Sequence, residues 1–407
     1  VGTGKTVTIT PSYTGADVGN YSVTDHSTVT ANITAKALSV SGITASDKGY
    51  DGNATATLNT LLIDYGGLVS GDTLTGTYSG VFNNANVGNG KTVTITSSYG
   101  GADVNNYTIT DQASTTANVT TKSLTATASA ANKVYDASNT ATTTLTLSGF
   151  IGTETVTSTN SSTFNNKNVG TGKTVTVNSI TLANGTNGGL ASNYSIATGQ
   201  TTTANVTAKA LTVSGITASN KTYDANTTAT LNAGSVTYTG KIDGDDFSGT
   251  YTGAFSDKNV GTGKTVTITP SYTGADVGNY SVTDHSTVTA NITAKALSVS
   301  GITASDKGYD GNATATLNTL LIDYGGLVSG DTLTGTYSGV FNNANVGNGK
   351  TVTITSSYGG ADVNNYTITD QASTTANVTT KSLTATASAA NKAVSYTHLT
   401  LPTSNDV

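Results

Sequence analysis

Asn86-Val87-Gly88-Asn89-Gly90-Lys91-Thr92-Val93-Thr94-Ile95-Thr96 is the stretch on which the fold turns. Its first half is rich in Asn and Gly, the residues that tolerate turns and left-handed backbone. Its second half alternates, with Val93 and Ile95 on one side and Thr92, Thr94 and Thr96 on the other. A period of two is the mark of a half-buried strand. The same alternation runs through Lys173-Thr174-Val175-Thr176-Val177 and Tyr107-Thr108-Ile109-Thr110, and no helical period is sustained. Gly and Asn clusters punctuate such runs every ~8–12 residues, the spacing of a sandwich or barrel. Six to eight short strands are expected per unit.

Moving outward from this stretch, the chain repeats itself. Residues 1–133 recur unchanged as residues 260–392, a shift of 259. Inside that shift Lys36-Ala37-Leu38 returns as Lys122-Ser123-Leu124, Lys209-Ala210-Leu211 and Lys295-Ala296-Leu297, at spacings of 86, 87 and 86 residues. The long shift is therefore three units. Lys48-Gly49-Tyr50-Asp51 is matched by Lys133-Val134-Tyr135-Asp136, Lys221-Thr222-Tyr223-Asp224 and Lys307-Gly308-Tyr309-Asp310. Asn106-Tyr107 is matched by Asn193-Tyr194, Asn279-Tyr280 and Asn365-Tyr366, and a unit closes on Ala117-Asn118-Val119-Thr120 or its equivalent. A period of about 86 residues is too long for a solenoid coil and long enough for a small domain with a core of its own.

The predicted division is a truncated repeat at 1–35, repeats at 36–121, 122–208, 209–294 and 295–380, and the start of a further repeat at 381–392. Residues 393–407 break the pattern; they are read as a non-native tail of translated adapter sequence and set aside. The chain opens at Val1 and contains no Met, so it is expected to be an internal piece of a longer protein. At the unit boundary Ala204-Asn205-Val206-Thr207-Ala208-Lys209-Ala210-Leu211-Thr212-Val213, the apolar parity flips between Ala210 and Leu211. A flip of one residue sends side chains to the opposite face. It predicts a strand that leaves one core and enters the next. With no Pro- or Gly-rich linker between them, the units are expected to form a semi-rigid rod.

Composition narrows the function. Cys, Met, Trp and Arg are absent, and charged residues are 10% of the chain, far below the usual quarter. Thr, Ser, Asn and Gly take their place, which suits hydroxyl-bearing sheet faces and secretion through an oxidising compartment. The net charge of −6 comes with no basic cluster, which argues against nucleic-acid binding. No run approaches the ~18 apolar residues that span a membrane.

The motifs that invite chemistry have structural readings beside them. Gly261-Thr262-Gly263-Lys264-Thr265 lacks the earlier Gly of a phosphate loop, where Lys258 stands, and it enters a strand instead of a helix. His26 and His285 are one position in two copies, and His398 lies in the tail, so neither a catalytic triad nor a zinc site is expected. Asp243-Gly244-Asp245-Asp246 is read as a solvated turn, with calcium the alternative. The recurrent tyrosines Tyr50 and Tyr107 are read as half-buried structural rings with bonded hydroxyls, and ligand stacking is the alternative. Sequons such as Asn53-Ala54-Thr55 and Asn118-Val119-Thr120 arise by chance in so Thr- and Asn-rich a chain, with glycosylation the lesser reading.

Taken in order, Lys-x-Tyr-Asp-(Gly/Ala), Asn-Val-Gly-x-Gly-Lys-Thr-Val, Asn-Tyr and the closing Thr-Ala-Asn-(Val/Ile)-Thr resemble the YDG and MBG domain repeats. Those occur in very large bacterial surface and secreted proteins, filamentous-haemagglutinin-like exoproteins among them. The resemblance covers residues 1–392; Ala137 and Ala225 depart from it where the signature has Gly. It implies adhesin-like surface proteins and no catalytic residues.

The expectation is an all-β chain of tandem immunoglobulin-like β-sandwich repeats, with β-grasp-like units as the alternative, since Gly100–Tyr107 has room for a short helical turn. The function expected is a stalk or fibre segment of an extracellular, cell-surface adhesin. Two alternatives stand beside it: repeats that bind a host or biofilm glycan or protein themselves, or an accessory region of a larger secreted enzyme. No catalytic, cofactor or metal residue is assigned.

Overall fold

The computed structural model describes residues 1–384. The expected tail at 393–407 and most of the partial repeat at 381–392 lie outside the described residues. By packing, the chain divides into two compact units, Val1–Val134 with Ser138–Thr207, and Tyr135–Ala137 with Ala208–Val407. Each is described by itself.

The architecture is all-β and repeats. In the first complete repeat the strand Gly88–Gly100 is the spine. It pairs antiparallel with Thr75–Phe82 on one side and Ser114–Thr120 on the other, and Lys48–Gly49 and Thr55–Ala56 complete a five-stranded sheet. A second, three-stranded sheet places Lys36–Ser41 between Tyr107–Thr110, which runs parallel to it, and Asp64–Gly66, which runs antiparallel. A two-stranded ladder joins Thr44–Ala45 to Leu58–Asn59. The third and fourth repeats follow this plan. In the second, Thr143–Ser148 pairs along a longer opening strand, Lys122–Ala130. The first, third and fourth repeats hold ten strands each and the second holds eight, against the six to eight expected, because several are two-residue ladders with no alternation to read.

Among the described residues helix is confined to three-residue 3-10 turns such as Val104–Asn106, within the stretch expected to hold one. A β-grasp unit needs a helix packed across its sheet, so that alternative does not hold for the described residues. Among the described residues no helix is long and apolar enough to cross a membrane.

The local chemistry explains the recurrent motifs. Gly90 sits at φ +58° in a bulge between Gly88 and Lys91, and its N–H donates to Asn118 Oδ1 at 2.8 Å. Only a residue that enters the left-handed region without strain suits this corner. Asn118 is in turn held by Asp47, which accepts from its N–H at 2.7 Å and from Nδ2 at 2.9 Å. The amide of this sequon is thus engaged on both sides. Gly263, in the stretch that mimics a phosphate loop, makes the same bond to Asn291 at 2.7 Å and enters the strand Gly261–Thr273.

Two cores flank the spine. Leu38, Val40, Ile43, Ile95 and Tyr107 form one, entirely within the first repeat. The other takes Tyr50, Ala56, Phe82, Val93, Ala117 and Val119 from the first repeat and Leu124, Val156 and Tyr194 from the second. Val93 and Ile95 are neighbours on one face of the strand, yet they serve different cores. The parity flip does not carry the chain from one core into another at this boundary: Ala117 and Val119 in Ser114–Thr120 and Leu124 in the strand that follows are buried in the same core. In the second unit Tyr223, Phe255, Val266 and Ile292 of the third repeat likewise share a core with Leu297, Val299, Ile302, Ile354 and Tyr366 of the fourth. A core private to each repeat was the expectation. It holds only for Leu38, Val40, Ile43, Ile95 and Tyr107 of the first repeat, which follows the partial repeat 1–35. Their fourth-repeat copies, Leu297, Val299, Ile302, Ile354 and Tyr366, close over the third repeat instead, because the five-stranded sheet has an apolar face that its own three-stranded sheet does not cover.

Candidate functional site at the repeat junctions

The shared core is where the recurrent motifs meet. In the first repeat Lys48 anchors the Tyr-Asp-Gly turn. Its ammonium pairs with Asp51 at 2.7 Å and donates to the carbonyls of Asn53 and Thr55, both at 3.1 Å. Burial would raise the Asp51 carboxyl, but the Lys48 ammonium and the Asn53 N–H outweigh it and hold it below the usual carboxylate range. Lys221 builds the same turn on Asp224 at 2.6 Å, 5.6 Å from the Phe255 ring centroid, a cation–π distance.

That turn aims Tyr50 at the next repeat. Its ring meets Tyr194 edge to face at a centroid distance of 5.5 Å. Both hydroxyls donate to one carboxylate, Glu154, each at 2.7 Å. The Tyr194 oxygen also accepts from the Ile151 N–H at 3.1 Å. Burial first, and the Glu154 hydrogen bond second, push the Tyr50 phenol up to about 12. Beside the rings, Asn193 accepts from the Val87 N–H at 2.9 Å and donates to Asn86 Oδ1 at 3.0 Å. Asn193 is fully buried, so these bonds satisfy groups that would otherwise be costly to bury.

The third and fourth repeats reproduce the lock. Tyr223 meets Tyr366 at 5.6 Å, Tyr366 donates to Asp331 at 2.6 Å, and Asn365 accepts from the Val260 N–H at 2.9 Å. Within the second unit Tyr135 meets Tyr280 at 5.7 Å and donates to Asp245 and Asp276 at 3.1 and 3.3 Å. The Tyr-Asp-(Gly/Ala), Asn-Val and Asn-Tyr landmarks therefore form one lock, with the first two in one repeat and the third in its successor.

These positions revise several expectations. The tyrosines expected to be half-buried are buried: Tyr50, Tyr135 and Tyr223 expose 5%, 1% and 1% of their surface, because the neighbouring repeat covers them. Of the acidic loop expected to be solvated, Asp243, Gly244 and Asp246 are exposed and Asp245 alone is drawn inward. Asp245 accepts from Tyr135 and Tyr280, and Asp246 accepts from the Ala275 N–H at 2.9 Å. Among the described residues no three His, Cys, Asp or Glu side chains converge as metal ligands. The Asp beside His285 is taken by the Tyr272 hydroxyl. Sequence reasoning did not single out Glu154 or Asp331, and it marked Asn193 and Asn365 as recurrent landmarks without giving them a role. The fixed distance of the two asparagines before their tyrosines was the available signal for the latter pair.

The turn also fixes its own third residue. Gly52 and Gly311 sit at φ +79° and +86°, and Ala137 and Ala225 occupy the same left-handed region at +62° and +59°. At Gly52 a methyl group would lie 2.8 Å from Ile151 Cγ2 of the next repeat.

The model of the YDG domain matches four stretches of the chain, residues 34–117, 120–204, 207–289 and 293–376. No curated protein matches it. Among solved structures, the crystal structure of Drosophila N-cadherin EC1-4 is similar over 85% of this chain and 100% of that one, at 10% identity and a TM-score of 0.21. That likeness is too low to carry an argument.

Proposed function

The chain belongs to the YDG domain family, and on that premise we propose that it is a structural segment, a stalk, of a bacterial cell-surface or secreted adhesin. The observation that carries this reading is the use of the family's recurrent residues: Tyr50, Asn86 and Val87 lock onto Asn193 and Tyr194 of the next repeat. Residues kept for joining repeats suit a part whose task is to extend and bear load. In this reading the chain is non-catalytic, extracellular and free of cofactors, and the binding tip belongs to another part of the parent protein. Deleting one whole period from that protein tests it. The stalk reading expects shorter reach with adhesion chemistry unchanged. Loss of ligand binding by the shortened protein, with saturable binding by the purified repeats, would overturn it.

One observation favours a second reading, in which the repeats bind a host or biofilm protein directly. Leu61 and Leu62 are 89% and 76% exposed at a loop, and their copies Leu320 and Leu321 are equally exposed. The third repeat has Gly234 and Ser235 at the matching place. Saturable binding abolished by Leu61→Ser and Leu320→Ser together would establish this reading in place of the first.

A further inference from the structure

We propose that each junction is keyed by charge, so that the end of one repeat accepts only the repeat type that follows it and the order of repeats is written into their surfaces. The inference concerns assembly of the chain and stands apart from what the fibre does. It rests on three positions. One lies between the Phe and Asn-Val landmarks of the leading repeat: Ala85, Lys167 or Lys258. The other two lie in the following repeat: the acid that receives the tyrosine hydroxyls, and the residue four before the Asn-Tyr tyrosine.

At the first junction Ala85 faces a repeat with one acid, Glu154, and a leucine, Leu190, at the second place. Glu154 is occupied by both phenols. No ammonium is needed there, and none is supplied. Between the third and fourth repeats both places are aspartates, Asp331 and Asp362, and the leading repeat supplies Lys258. Its Nζ lies 3.5 Å from Asp331 and 3.4 Å from Asp362. The Asp331 side chain is only 2% exposed and Asp362 13%, while Lys258 remains 41% exposed. Two buried carboxylates side by side repel unless a cation joins them. The second repeat carries Lys167, and the third, which follows it, carries the pair Asp245 and Asp276. The rule thus reads Lys before two acids and Ala before one. The fourth repeat has Ala344, and residues 381–392 after it repeat the opening of the second repeat, the type with Glu and Leu.

A wrong neighbour breaks the rule in either direction. Lys against Glu and Leu buries an ammonium beside an apolar side chain and a carboxylate already engaged. Ala against two aspartates leaves them without a cation, with the Tyr366 hydroxyl on Asp331 and the Thr332 N–H on Asp362 to offset their repulsion. Specificity of this kind comes from penalties on the wrong partner as much as from contacts with the right one.

The test uses the full chain and amide hydrogen exchange. The Val87 and Val260 amides, held by Asn193 and Asn365, report on the two junctions. Ala85→Lys should speed exchange at Val87 by about tenfold or more and leave Val260 unchanged. Adding Leu190→Asp, which recreates the acid pair, should return it to within about threefold of the parent. The reciprocal change Lys258→Ala alters a side chain with solvent access, so the chain should fold; it should speed exchange at Val260, and adding Asp362→Leu should restore it. Single variants that exchange like the parent, or paired variants no slower than the singles, would overturn the pairing rule and leave the stalk reading intact.

Discussion

The two ends of the first repeat are built on different terms. At the end formed by Leu38, Val40, Ile43, Ile95 and Tyr107 the three-stranded sheet closes over residues of the same repeat, whereas the fourth-repeat copies of those five residues close over the third repeat. At the other end Tyr50, Phe82 and Val93 are closed by Leu124, Val156 and Tyr194 of the next one. The difference teaches where cooperativity lies. A boundary drawn by sequence period passes through a buried core, while the middle of a repeat, where Leu58 touches both clusters, is the seam between cores. The recurrent aromatic and Asn residues come from both ends of a repeat and meet where two repeats join, Tyr50 and Asn86 of one against Asn193 and Tyr194 of the next.

Truncation should separate the two ends most sharply. Tyr50→Ala removes a buried ring and its hydroxyl's hydrogen bond to Glu154, and should cost about 3–5 kcal/mol. Denaturant unfolding with hydrogen exchange should show both the first and second repeats loosened. Leu38→Ala should cost about 2–5 kcal/mol, with the second repeat left protected.

Alkali should attack the shared end selectively. Tyr50 and Tyr366 are pushed up from 10.0 to about 12, first by burial and then by the carboxylates that accept their protons. A phenol whose folded value is raised stabilises the fold fully below its unfolded value and loses that contribution as pH climbs through the folded one. The junctions should therefore hold up to pH about 10 and weaken between there and about 12. Phenolate absorbance should follow the loss of junction protection, and Tyr50→Phe should flatten the dependence at the first junction.

Smaller effects test the turn. Gly52→Ala places a methyl group 2.8 Å from Ile151 Cγ2 at φ +79° and should cost about 1–3 kcal/mol. Pairing it with Ile151→Ala should cost less than the sum of the two single changes, since the clash is then gone. Ala225→Gly works in the other direction. It relieves a left-handed alanine and should raise stability by at most about 1 kcal/mol, because the added freedom of the unfolded chain offsets part of the gain. Thermal unfolding of the full chain would register both.

How much of this could be read from the residues follows from their separation in sequence. Alternation in Lys91–Thr96 is a local property, and the buried Val93 and Ile95 follow it. The flip of apolar parity at a boundary is local too, but where it leads is not: Ala117, Val119 and Leu124, on either side of it, enter one shared core instead of two. Ala137 and Ala225 stood out as departures from a glycine signature, and their positive φ values explain why glycine is usual there. Tyr50 and Tyr194, by contrast, are brought together by the packing of two repeats, and no spacing rule links a tyrosine to a partner in another repeat. The role of Glu154 was hidden for the same reason: an isolated acid in a loop carries no pattern until the rings that donate to it are placed.

The central claim is that the cooperative unit straddles the boundary between repeats. Native-state hydrogen exchange of the full chain across a denaturant series tests it most directly, through amides in the Val93 region of Gly88–Gly100 and in Lys122–Ala130. The account predicts that these amides, from two different repeats, open with one free energy and one denaturant slope. Amides of the second repeat that open on their own slope, unaffected by the first, would contradict it.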